Sequence, residues 1–205
     1  MQYDLKELER RAFRATFQDG LWDMYLGLIL IGFGSMPLLR NGVSEAASII
    51  GYSIMLVLAM TMLIVGKQQI TVPRLGYVRY SAERQRKLSR AQWLLGGSIV
   101  AGVIVFGLIL SNTVGLTGFS VLLAVIILVV FGGLAYFLDY QRLLMYAILC
   151  ALSLPMGIAL ENEGVLSDAP TVFILTGILA LFIGGVLLQR FVQEYHLPPE
   201  DSAHG

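Results

Sequence analysis

Residues 67–90 read KQQITVPRLGYVRYSAERQRKLSR, a hydrophilic insert in an otherwise apolar chain of 205 residues. The insert holds Lys67, Arg74, Arg79, Arg84, Arg86, Lys87 and Arg90, seven of the fourteen basic side chains, opposed only by Glu83. Long apolar runs flank it on both sides. Charge placed between such runs sets which way a chain faces in a bilayer, because lysine and arginine are retained on the cytoplasmic side.

The rest of the composition agrees with a membrane setting. Apolar residues make up 57% and charged residues 14%, against about 45–50% and about 25% in ordinary globular domains. A water-soluble domain of this length would lack the charge to cover its surface. The single cysteine, Cys150, rules out an intrachain disulfide framework. The charged first twenty residues lack the apolar core of a secretory signal peptide.

Working outward from the insert, hydropathy predicts six spans, at residues 21–39, 46–65, 92–110, 119–137, 143–160 and 171–188, each near the length that crosses about 30 Å of hydrocarbon. The predicted fold is therefore all-α, a polytopic six-helix transmembrane bundle forming one integral membrane domain. Asp19-Gly20 precedes the first span, with Asp19 placed as its N-cap and Asp23 in its first turn, where negative charge suits the helix dipole. Arg40-Asn41-Gly42 reads as a turn, Pro155 as a kink in the fifth span, and Pro170 as the start of the sixth. Leu5, Leu8, Ala12 and Ala15 share one stripe at helical period. Residues 1–18 thus read either as an interfacial amphipathic helix or as a solvated helix resting on the inner loops. Residues 196–205 read as a flexible tail.

The insert has structure of its own. Ile70-Thr71-Val72 and Tyr77–Tyr80 are β-prone and flank Pro73-Arg74-Leu75-Gly76, which predicts a small β-hairpin or tight loop. Ser81 then caps a helix over residues 82–110, a run of 29 residues without a break, with Trp93 where it would enter lipid.

Six spans put both termini on one side. With the insert inside, thirteen lysines and arginines fall on inner segments and only Arg40 on an outer one, so both ends are predicted cytoplasmic and the location is the cell membrane.

Few residues suggest chemistry. No Asp, Glu, Lys, Arg or His lies in the middle of a predicted span, which argues against an ion-coupled pump. Ser53, Thr61, Ser98, Ser120, Ser153 and Thr176 could line a passive path, or could bond back to their own helices. His196 and His204 have no acidic or cysteine partners at metal spacing, and no phosphate loop, nucleophile elbow or zinc motif occurs. The sequence therefore predicts no catalytic residues, no metal, no cofactor and no nucleic-acid partner. Asp19-Gly20 with Asp23 resembles a fragment of the acidic motif of CDP-alcohol phosphatidyltransferases. The following Ala-Arg of that motif and its second half have no match here, and two carboxylates alone cannot hold its metal pair.

Asp19 and Asp23 lie four apart, which would put them on one helix face at the inner boundary. Two readings follow: either the loop over residues 70–80 folds back so that Arg74 or Arg79, with Arg142 at the same level, pairs with them, or every charge is hydrated. The basic insert likewise either only fixes topology or also binds anionic lipid headgroups, at about 1 kcal/mol per basic residue. Gly97-x-x-x-Ala101, Ser98-x-x-x-Gly102, Ala180-x-x-x-Gly184 and the Gly132-Gly133 notch allow close helix approach, within one chain or between copies.

The segment Ile-Thr-x-Pro-Arg-x-Gly-Tyr-Val, residues 70–78, together with Asp-Gly-Leu-Trp-Asp at residues 19–23, resembles segments of uncharacterised prokaryotic multi-pass membrane proteins. That resemblance implies a membrane location and no activity. The functional expectation is a non-enzymatic structural or accessory membrane protein. Its partners would be anionic lipid, another membrane protein or a second copy. The alternatives are a small transporter or channel and an interfacial lipid enzyme.

Overall fold

The computed structural model describes residues 13, 16–42, 44–75, 82–111 and 115–195. Helices dominate, and no strand occurs among the described residues. In chain order they are α1 (Leu21–Gly42), α2 (Glu45–Gly66), a π-helical turn (Lys67–Thr71), α3 (Val72–Leu75), α4 (Ala82–Leu110), α5 (Leu116–Phe137), α6 (Arg142–Asn162), a 3-10 turn (Ala169–Thr171) and α7 (Val172–Glu194). Among the described residues, five stretches are long and apolar enough to cross a membrane: Ala46–Leu75, Arg84–Val105, Gly118–Phe137, Arg142–Asn162 and Ala169–Glu194. The described side chains of α1 add a shorter apolar stretch, Leu21–Met36.

The hairpin expected around Pro73 does not form in its described half. Ile70 and Thr71 belong to the π-turn and Val72 opens α3, so the helical path of α2 continues past Gly66 to Leu75. Residues 76–80, and the cap expected from Ser81, lie outside the described residues. The reason is local. A proline has no N–H to give and its ring crowds the carbonyl four residues back. Immediately before Pro73 the helix widens by one residue, and the Val72 N–H reaches the carbonyl of Lys67. Such a widened turn absorbs the defect without breaking the helix. The turn expected at residues 40–42 is likewise replaced by a helix that runs to Gly42.

The helices pack in the order α2, α1, α7, α6, α5, α4, with α1 against α7 the most extensive pairing. That pairing rests on glycine. Gly20, Gly27 and Gly34 recur every seven residues along α1 and the residue before it, and Gly177 and Gly184 do so along α7. A Cβ on Gly27 would fall 2.7 Å from the Gly177 carbonyl oxygen and 2.8 Å from the Leu181 nitrogen. One on Gly184 would fall 2.7 Å from the Met24 nitrogen, and one on Gly34 would fall 2.8 Å from the Pro170 carbonyl oxygen. The two backbones thus run in direct contact, an approach that only small residues permit. Ala180, fully buried, continues the seam.

Two apolar clusters fill the remaining interior. One gathers Ala91, Val130, Leu134, Tyr140 and Leu143; the other gathers Cys150, Leu154, Ala169 and Phe173. Leu94 of α4 seats in the notch at Gly133. Within the chain, no close approach forms at Gly97 and Gly102 among the described residues, since a Cβ on either would meet nothing within 4 Å. α4 meets α5 through Ala91 and Leu94 instead, and its glycine side is left uncovered. α2 and α4, at the two ends of the row, expose Ile50, Val57, Leu58, Ile99, Val100 and Val103. A surface this apolar suits lipid and not water.

Candidate functional site

A polar cluster gathers where α1 begins. Gly20 takes a positive φ of 78°, and its carbonyl accepts the Met24 N–H at 3.0 Å, which makes Gly20 the residue that opens α1. Asp19 therefore precedes the helix and is not its N-cap as expected. Its Oδ1 accepts the Leu21 N–H at 3.2 Å. Its Oδ2 accepts from Thr71 Oγ1 at 2.6 Å and from Lys67 Nζ at 2.5 Å. The same ammonium donates to the Thr16 carbonyl and lies 6.0 Å from the centre of the Phe17 ring. The π-turn thus delivers both Lys67 and Thr71 to one carboxylate oxygen.

Asp23, one turn into α1, has different partners. Tyr140 and Tyr146 donate their hydroxyls to its Oδ1 at 2.7 and 2.6 Å, and Arg142 Nη1 donates to its Oδ2 at 3.3 Å. Arg142 Nη2 reaches the Phe17 carbonyl at 3.4 Å. Both aspartates are fully buried. A buried carboxylate is tolerated only when paired and hydrogen-bonded, and each here has at least three donors. The two are not one acidic face. Asp19 ties α1 to the end of α2, and Asp23 ties it to α6.

Tyr140 owes its position to the turn before it. Asp139 adopts a left-handed φ of 51°, a conformation that aspartate tolerates better than most residues. The Tyr140 N–H then folds back to the Ala135 carbonyl at 3.0 Å, closing α5 in the manner of a left-handed helix cap. The Asp139 carboxylate accepts from Arg84 Nη1 at 2.9 Å. Arg84 in turn stacks its guanidinium 4.3 Å from the ring centre of Phe13, which is buried. Burial, and next the Asp23 carboxylate, push the Tyr140 phenol far above its ordinary range. Tyr140 is held as a neutral hydrogen-bond donor.

Of the residues singled out from sequence, the structure brings together Asp23 with Arg142 and Asp19 with Lys67. Arg74 donates to its own helix at the Ile70 carbonyl, 3.0 Å away, and not to either aspartate. Arg79 lies outside the described residues, as do Leu5, Leu8, Ala12 and Ala15. Arg86 and Arg90 are exposed and Lys87 is half-buried. The partners that sequence reasoning missed are Thr71, Tyr140 and Tyr146. The two tyrosines lie two residues before and four after Arg142. Their closeness in sequence to Arg142 was the available signal.

Two cavities open beside this cluster. One, of about 160 Å³, is lined by Phe17, Gln18, Asp139, Tyr140, Gln141 and Arg142. The other, of about 330 Å³, lies towards the end of α7 and shares Gln18 and Arg142 with the first. Arg84, through Asp139, and Arg190, through the second cavity, thus belong to the same end of the bundle. Elsewhere the span hydroxyls are occupied locally. Ser53, Thr61, Ser98 and Ser153 donate to carbonyls three or four residues back on their own helices, and Ser153 also meets Thr176 at 3.0 Å. No group of three or more histidine, cysteine, aspartate or glutamate side chains suited to a metal occurs among the described residues.

Fold and cluster together define an all-helical protein with the features of a membrane protein, locked at one end by two buried carboxylates. No protein-family model, curated protein or solved structure matches the chain.

Proposed function

We propose that this is a six-span integral membrane protein with both termini cytoplasmic. It acts as a non-enzymatic accessory or structural component that engages anionic lipid through its basic inner face. The observation that carries the reading is how the basic residues divide. Lys67, Arg74 and Arg84 are taken up by Asp19, the Ile70 carbonyl and Asp139. Arg86 and Arg90 stay exposed on the first turns of α4, with Lys87 between them. Trp93, 80% exposed, follows within a turn of Arg90.

A cationic band one turn above an uncovered indole, on a helix whose apolar flank is bare, matches the order of layers at a bilayer surface. Each cation near an anionic surface contributes about 1 kcal/mol, weakened by salt.

The test is lipid retention by the purified full-length protein in nanodiscs of phosphatidylglycerol and phosphatidylcholine. Enrichment of phosphatidylglycerol around the wild type is expected, reduced in an Arg86→Gln, Lys87→Gln, Arg90→Gln triple variant and by high salt. Equal enrichment in the triple variant would overturn the reading.

A further inference from the structure

The larger cavity is built differently from the α4 band, and it is suited to a single ligand. At about 330 Å³ it lies at the low end of the roughly 300–1,000 Å³ of small-molecule sites, the size of a headgroup and not of a whole amphiphile. Arg142 forms one wall. Of the five N–H donors of a guanidinium, its structural contacts use two, to Asp23 and to Phe17, at 3.3 and 3.4 Å. The side chain remains 24% exposed, so donors are left for a ligand. Arg190 supplies a second, exposed guanidinium, and Gln18 a neutral amide. Paired guanidinium forks are the side chains best matched to phosphate oxygens.

Glu194, one turn after Arg190, lines the same cavity. A bare phosphate would be repelled by it. A phosphodiester whose far end carries hydroxyls or an ammonium would satisfy it. The remaining walls are apolar. Leu187 lies one turn further into α7, and the rings of Phe191 and Tyr195 close the side with centres 4.8 Å apart.

We infer that this cavity seats the headgroup of one phospholipid, with its phosphate on Arg142 and Arg190, its terminal donor on Glu194, and its acyl chains leaving past Leu187 along α7. The inference rests on the reading that this end of the bundle meets lipid headgroups, and it concerns residues separate from the α4 band.

The test uses native mass spectrometry of the full-length protein in detergent with added phosphatidylglycerol. One tightly held lipid per chain is expected, with its affinity lowered about tenfold or more by Arg190→Gln. Arg190→Lys, which keeps the charge but not the fork, should fall between. Arg190 is exposed and has no hydrogen-bond or ion-pair partner among the described residues, so its variants should fold, and an unchanged melting temperature checks this. Glu194→Gln should shift preference towards phosphatidic acid, which lacks the terminal donor. Displacement of the lipid by millimolar inorganic phosphate would overturn the assignment to a headgroup, as would retention unaffected by Arg190→Gln. If the α4 triple variant loses bulk enrichment while Arg190→Gln changes nothing, the general reading stands and this site falls. The reverse pattern keeps the site and removes the α4 band.

Discussion

The α1–α7 seam and α4 are both rich in glycine, yet the residue does opposite things in them. Gly27 and Gly177 face each other across two backbones in contact, whereas Gly96, Gly97, Gly102 and Gly107 have nothing within 4 Å of where a Cβ would stand. Spacing separates the two cases. On α1 and α7 the glycines repeat at seven residues on both partners, so that one small face meets another along the whole length. On α4, Gly97, Gly102 and Gly107 stand five apart, the four-residue spacings pairing Gly97 with Ala101 and Gly102 with Ser98, and no matching face lies opposite among the described residues. A small-x-x-x-small pattern states what a helix allows; only a complementary pattern elsewhere in the chain states what it does.

The ends of the seam differ too. At the Gly20 end the close approach is locked by ionic and hydroxyl contacts, and this lock should be the most sensitive part of the molecule. Lys67→Met strands the Asp19 carboxylate in a buried site and is expected to cost about 3–5 kcal/mol. Unfolding in detergent measures this, and Asp19→Leu added to the same chain should recover most of the loss. A single variant as stable as wild type would show that the lock does not hold the seam.

Tyr140→Phe leaves Asp23 with Tyr146 and Arg142, so about 1.5–3 kcal/mol is expected by the same assay, the range for a hydrogen bond to a charged group. Gly27→Ala drives a methyl group into the α7 backbone and should cost about 1–3 kcal/mol. Gly97→Ala, its counterpart on α4, should lie within about 0.5 kcal/mol of wild type. Equal effects from the two alanines would erase the distinction between seam and bare face.

A pH series sharpens the comparison further. Tyr140 holds its proton more tightly in the folded chain than in the unfolded one, where a phenol titrates near pH 10. Its contribution is therefore complete below about pH 10 and declines above it, by about 1.4 kcal/mol per pH unit. Wild type should lose stability between pH 9 and 11 by more than Tyr140→Phe does, and matching profiles would remove Tyr140 from the lock.

Much of this architecture was legible in the residues themselves. The 29-residue reach of α4 followed from the absence of any breaker between Ala82 and Leu110, and the apolar runs announced the long helices. The β-prone Ile70-Thr71-Val72 misled, because local propensity yields where the chain can continue a helix and keep its backbone groups paired. The cluster was harder to read. Asp19 and Asp23 stood out, but their principal partners lie far away in sequence, and spacing along one helix cannot reveal a contact with another. Lys67 looked like one cation among seven, and only the widened turn that aims it at Asp19 sets it apart.

The Asp23 contacts also bear on how the protein is made. Tyr146 is 123 residues beyond Asp23. At about 5–20 residues per second, a ribosome needs roughly 6–25 s to deliver that hydroxyl after the carboxylate has emerged. The first helix must therefore wait, half-dressed, for the sixth and seventh. Asp19 meets Lys67 and Thr71 sooner, so Asp23 is the acid left longest without its partners.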